Sequence, residues 1–218
     1  MMLRRVMMAA NGGGGGSLLS LLHFDGPDGS ATFTDETGRS WSRNNATIST
    51  IAYLYGGASG LFGGNASIYS TSPGDALGSD DFLVEISGNF VTLGTNIIVD
   101  MRGESNDQPM PAIYNVGTTL YYYVSGANVI TATGALATGA WKRIAVSRQG
   151  GVTRMFVDGV QVGEDWPDAT IYTNTKIALG SNWQITGTYI HGWLDEFRLQ
   201  KGIGIDSNYT PTGPFPNP

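Results

Sequence analysis

The chain of 218 residues contains no cysteine. That one absence removes a disulfide framework, a thiolate metal site and a cysteine nucleophile. Histidine is nearly as scarce, with His23 and His191 the only two. They form no His-x-x-x-His pair, so a zinc site has almost nothing to use. A serine nucleophile needs a histidine with its own orienting acid. Asp25 follows His23 by two positions, which in a strand puts them on one face as a structural strand-end pair. Charged residues make up only 14%, and the net charge of −6 with a pI near 4.7 argues against nucleic acid as a partner. A nucleic-acid binder would carry a basic face, and here the basic residues are scattered. No run approaches the about 20 apolar residues of a membrane span. Arg4 and Arg5 are followed by too short an apolar stretch for a signal peptide. No segment sustains the i, i+3, i+4, i+7 pattern of an amphipathic helix.

What the chain has is glycine, 32 residues of it, and 41% apolar residues, enough for one core of ordinary size. Residues 12–16 are five glycines in succession, a flexible tether by composition. Ordering such a run is entropically costly, so an arm fixed in place needs a partner to hold it. Arg4 and Arg5 would give that partner hydrogen bonds, and Met7 and Met8 adaptable apolar contact. The expected organisation is an N-terminal anchoring arm over residues 1–16 and one domain over residues 17–218.

From residue 17 onward the punctuation is that of strands. Apolar, β-branched and aromatic runs at 18–24, 82–86, 96–101, 119–124, 143–148, 152–157, 176–179 and 193–199 are bounded by Gly, Asn, Asp or Pro. Gly150-Gly151 and Asp158-Gly159 read as hairpin turns. In the 193–199 run, alternation predicts that Trp193, Asp195, Phe197 and Leu199 share the core face. Glu196 and Arg198 would then form a solvated pair on the other face. The expected fold is all-β, a two-sheet antiparallel sandwich with an extended N-terminal arm.

Four segments carry a resemblance. They are Leu21-Leu22-His23-Phe24-Asp25-Gly26, Trp141-Lys142-Arg143-Ile144-Ala145-Val146-Ser147-Arg148, Met155-Phe156-Val157-Asp158-Gly159 and Gly192-Trp193-Leu194-Asp195-Glu196-Phe197-Arg198-Leu199. In order and spacing they resemble the laminin-G-like, concanavalin A-like jelly-roll family, and within it the branch found in tailed-phage virions. The resemblance implies adjacent first and last strands, and a decoration or adhesion role at the virion surface. It also implies other virion proteins as partners of the arm, further copies of the chain, and glycans. A free-standing carbohydrate-binding lectin module is the alternative, with a glycan hydrolase a third reading.

Glycan-cleaving relatives on this fold carry paired carboxylates at i and i+4 of one strand. A third acid stands between the two. Asp80-Asp81 with Glu85 comes nearest, but its first two acids are adjacent and Phe82–Val84 fills the gap, so no catalytic residue is expected. Members of the wider superfamily often hold a structural calcium. If the terminal strands are neighbours, Asp25 and Asp195 could converge on one such ion, since calcium takes carboxylate and carbonyl oxygens. For a glycan, stacking aromatics on loops are the expected chemistry. Trp166, Trp183, Tyr55 and Tyr189 are the primary candidates, with Tyr53 and Tyr121–Tyr123 behind them. Trp141 and Trp193 are expected to be structural.

Overall fold

The computed structural model describes residues 16–72, 76–102, 109, 111–173, 176–184 and 186–218. The arm residues Arg4, Arg5, Met7 and Met8 lie outside these. Strands make up every regular element among the described residues, in two antiparallel sheets stacked as a jelly-roll sandwich.

The first sheet has β6 (Phe82–Thr92) and β15 (His191–Lys201) at its centre. Outward from β6 lie β11 (Trp141–Gln149), β12 (Val152–Val157) and β13 (Val160–Pro167). On the other side of β15 come β4 (Ser59–Gly63) and then β3 (Thr47–Ser49). β1 (Ser17–Leu22) pairs with the second half of β15, so the first and last strands are indeed neighbours. The second sheet runs β10 (Ala127–Ala132), β9 (Thr119–Val124), β8 (Pro111–Val116), β7 (Thr95–Asp100), β14 (Lys176–Leu179), β5 (Ser67–Thr71) and β2 (Ser42–Asn44).

Both anticipated hairpins form. Gln149 pairs with Val152 and Val157 with Val160, leaving two-residue turns. Positive φ at Gly150, Gly151, Asp158 and Gly159 is what a two-residue hairpin turn of the primed type requires. Inward residues of both sheets, among them Phe62, Phe82, Phe90, Tyr122, Leu179 and Phe197, fill one continuous core. One end of that core is closed by Arg148, which is 1% exposed. Its guanidinium donates to the carbonyls of Gly78, Asp80 and Thr170 and stands 3.7 Å from Asp168.

Strand β15 departs from simple alternation. A bulge between Asp195 and Arg198 inserts one extra residue opposite β6, with Glu196 at φ 54°. A bulge resets the in–out phase of a strand. Leu194, Phe197 and Leu199 therefore point into the core, whereas Trp193 and Asp195 fall on the outer face. Glu196 and Arg198 are not a solvated pair either. Glu196 is buried and engages His23, while Arg198 pairs with Glu85 of β6. The chain after β15 folds back over this outer face, where Ile205 and Tyr209 cover Leu83, Ala145 and Phe156.

Candidate functional site: an aromatic row on the seven-stranded sheet

The outer face of the second sheet carries a row fixed by strand register. Tyr69 on β5 is opposite Ala178 on β14, which faces Asp100 on β7. Asp100 faces Ala112 on β8, and Ala112 faces Tyr123 on β9. The neighbours of these residues, Ile68, Ile177, Leu179, Ile113 and Tyr122, all point to the core. Four strand spacings separate Tyr69 from Tyr123, about 19 Å at about 4.8 Å per step. Small alanines flank the central Asp100, and all three residues are buried; the open space lies at the Tyr69 end of the row.

Around this row the aromatics continue. Tyr114 stacks on Tyr121 with ring centroids 4.9 Å apart, and meets Tyr123 edge-on at 6.3 Å. At the other end Trp183 stands beside Tyr69, Thr71 and Ala178 over a cavity of about 250 Å³. Lys176 Nζ lies 3.7 Å from the Trp183 ring centroid. In the middle, Asp100 is fully buried because Arg102 binds both its oxygens, Nε to Oδ1 at 2.9 Å and Nη2 to Oδ2 at 2.7 Å. The same guanidinium lies 5.3 Å from the Tyr123 ring, and the Trp183 backbone N–H donates to Asp100 Oδ2 at 3.2 Å. Charged hydrogen-bonding groups are thus interleaved with flat apolar faces on one surface.

The four primary aromatic candidates separate. Trp183 joins this face. Trp166 is not in a loop; it lies on the edge strand β13 and packs edge-on against core Tyr122 at 6.2 Å, half-buried against the core. Its run Gly163-Glu164-Asp165 looks loop-like, but pairing with β12 overrides local propensity. Tyr55 sits on the far side of the molecule, close against Gly213. Tyr189 is half-buried at the Thr188–Ile190 connection, and its carbonyl accepts the Asn96 side-chain amide at 2.6 Å. Tyr121 and Tyr123 join the face while Tyr122 between them is core, as strand alternation requires. Tyr69, Tyr114, Lys176, Asp100 and Arg102 were not anticipated. Cross-strand register, which brings them together, cannot be read without knowing which strands are neighbours.

A second constellation joins the two predicted metal ligands. The Asp195 carboxylate is fully buried, and its Oδ2 accepts the backbone N–H groups of Leu54 at 2.8 Å and Tyr55 at 3.0 Å. Its Oδ1 is buried without a partner. Asp25 lies against the same loop, so close that a Cβ on Gly56 would meet its Oδ1 at 2.0 Å. Burial pushes the Asp195 carboxyl up to about 7 despite those two amide bonds, and the charges of Glu196 and Asp25 push the same way. Among the described residues no three His, Asp or Glu side chains cluster as a metal site. The donor set, two neighbouring carboxylates of which one oxygen is orphaned, is of the kind that a hard oxygen-seeking cation takes.

His23 does not pair with Asp25. Its Nδ1 lies 2.7 Å from Glu196 and its Nε2 2.6 Å from Asn217. Partial burial opposes its charging, but the bonds to Asn217 and Glu196 outweigh that and hold its pKa above the ordinary value.

Several solved structures share this architecture. Domain 4 of AbnA, a GH43 extracellular arabinanase from Geobacillus stearothermophilus solved with arabinotriose, matches with a TM-score of 0.62 at 20% identity, over 87% of this chain and 95% of that one. The receptor-binding domain of botulinum neurotoxin type G matches at TM-score 0.60 and 13% identity, over 87% and 48% of the two chains. The binding domain of botulinum neurotoxin DC in complex with SialylT matches at TM-score 0.60 and 10% identity, over 87% and 48%. The chain spans about half the length of these neurotoxin domains, and the likeness is one of fold. No curated protein matches the chain significantly. A family profile described as the Concanavalin A-like lectin/glucanases superfamily matches residues 63–202, which is most of the chain. The chain belongs to that superfamily.

Proposed function

We propose that this domain is a non-catalytic glycan-binding module displayed on the surface of a tailed-phage virion. The observation that carries the binding half is the row on the seven-stranded sheet, where Trp183, Tyr69, Tyr114, Tyr121 and Tyr123 surround the Asp100–Arg102 pair. Sugar rings stack their apolar C–H faces on aromatic rings, and their hydroxyls bond to charged groups beside them. The arabinotriose and SialylT complexes of the similar domains support a saccharide as the ligand class.

The acids nearest to a hydrolase pattern are engaged elsewhere. Glu85 is tied to Arg198 and Tyr209, and Asp81 accepts from Gln149 and the Gly150 N–H. Asp80, the third of these acids, is exposed and stands 3.2 Å from Lys201; with no further acid between Asp81 and Glu85, the arrangement supports binding without turnover.

The virion half rests on the four resembling segments and on the composition of residues 1–16. In this reading the arm engages other virion proteins, and further copies of the chain multiply a weak glycan affinity. Asp25 and Asp195 would hold a structural calcium ion, which would neutralise both charges and pin the loop at Leu54–Gly56 to the last strand. Deleting residues 1–16 tests the anchoring role. The truncated chain should fold, keep its glycan affinity and fail to join the particle. Assembly at the wild-type level would refute anchoring.

A further inference from the structure

The opposite face of the molecule holds a second cavity, of about 430 Å³, between the first sheet and the segment that follows β15. Its walls include Arg143 of β11, Glu85 of β6, Arg198 of β15, and the polar side chains of Asn208, Thr210 and Thr212. From this geometry we propose that the cavity is a site for a carboxylate-bearing sugar residue, with Arg143 as the group that recognises the carboxylate.

Arg143 is 4% exposed, yet its Nη1 and Nη2 have no hydrogen-bond partner. Its Nε donates to Ser87 Oγ at 2.8 Å, which fixes the guanidinium. The Phe215 ring lies 4.4 Å from its Cζ and the Tyr55 ring 6.0 Å. Such ring contacts use the face of the cation and leave the in-plane N–H groups unsatisfied. A buried, unpaired guanidinium is costly, and its two terminal amino groups form the fork that a carboxylate fits with two parallel bonds.

Of the other charges at the cavity, Glu85 and Arg198 are matched to each other. Glu85 binds Arg198 through one oxygen and accepts the Tyr209 hydroxyl at 2.8 Å through the other. Asp206, on the rim, accepts the Ser207 hydroxyl at 3.1 Å. The lining as a whole is balanced, Arg143 and Arg198 against Glu85 and Asp206, but no carboxylate among the described residues pairs with the Arg143 side chain, whose two terminal amino groups are left without a partner. Hydroxyl and amide groups along the wall suit the hydroxyls of a sugar better than an apolar acid, and the volume accommodates a monosaccharide. This site is separate from the aromatic row and stands or falls independently of it.

The test is titration of the full chain with D-galacturonate, D-glucuronate and N-acetylneuraminate, each against a neutral counterpart, with the methyl ester of galacturonate as the closest control. At least one acid should bind tenfold or more tightly than its neutral form. Arg143→Gln should abolish that preference and Arg143→Lys retain part of it. Should Arg143→Gln not fold, the acid-against-ester comparison on the wild-type chain decides alone. Equal affinity for acid and ester, no binding of any acid, or a folded Arg143→Gln chain that binds as wild type would overturn the assignment.

Discussion

The ammonium group of Lys176 lies 3.7 Å from the centre of the Trp183 ring, the two side chains walling one end of the cavity beside Tyr69. A cation over an indole face contributes on the order of 0.5–1 kcal/mol at an exposed site. Lys176→Gln should therefore lower stability by no more than about 1 kcal/mol in urea denaturation. Its larger effect should be on saccharide affinity, through a Trp183 ring no longer held in place.

Arg148 is a structural cation, and its removal should be expensive. It joins three backbone carbonyls to Asp168, whose carboxylate also accepts from Thr153, Thr170 and Tyr172. Arg148→Met leaves those carbonyls and Asp168 buried with fewer partners, so stability should drop by about 3–5 kcal/mol. A loss under about 1 kcal/mol in chemical denaturation would show that water replaces the guanidinium there.

Without added divalent cation, stability should fall as pH rises from 5 to 8. The Asp195 carboxyl, raised to about 7 in the folded state, keeps its proton where the unfolded chain has lost it. Its contribution is present below the unfolded carboxylate pKa and declines as pH climbs through about 7. His23, whose folded pKa is also raised, loses its stabilising charge in the same direction. Asp195→Asn should flatten the profile measured by thermal unfolding. An unchanged profile in that variant would assign the effect to other groups.

Calcium should reverse that dependence. Binding to Asp25 and Asp195 requires both carboxylates ionised, so millimolar Ca2+ should raise Tm at pH 8 and much less at pH 5.5. Asp25→Asn and Asp195→Asn should each remove the shift. If chelator and Ca2+ leave Tm the same at pH 8, the two aspartates serve only to fix the Leu54–Gly56 loop.

Which parts of this molecule were legible in its sequence follows from how local each one is. Strands 119–124, 152–157 and 176–179 were bounded correctly because turn formers flank short β-branched or aromatic runs. The two hairpins were legible because glycine at positive φ leaves its mark in the sequence. β13 was missed because Gly163 and its acidic neighbours mask an edge strand. The phase of β15 was misread because nothing in Asp195-Glu196-Phe197 signals a bulge, and that bulge decides which face Asp195 occupies. Asp25 and Asp195 could be brought together on paper, since pairing of the terminal strands sufficed. The row from Tyr69 to Tyr123 could not, because it depends on β14 lying between β5 and β7, strands far from it in the chain. Arg143 looked like an ordinary strand residue, and only the burial of its two terminal amino groups without a partner sets it apart.

The most direct test of glycan binding on the seven-stranded sheet is affinity for the best oligosaccharide from a glycan array, measured for wild type and three variants. Trp183→Ala and Tyr123→Ala should each weaken binding by about fivefold with the fold intact, since stacking contacts of this kind are worth about 1 kcal/mol. Trp166→Ala, which removes an aromatic packed on core Tyr122, should change stability and leave the affinity of the folded fraction unaltered. Binding indifferent to Trp183 and Tyr123, or no saccharide bound on the array, would contradict the assignment of this face.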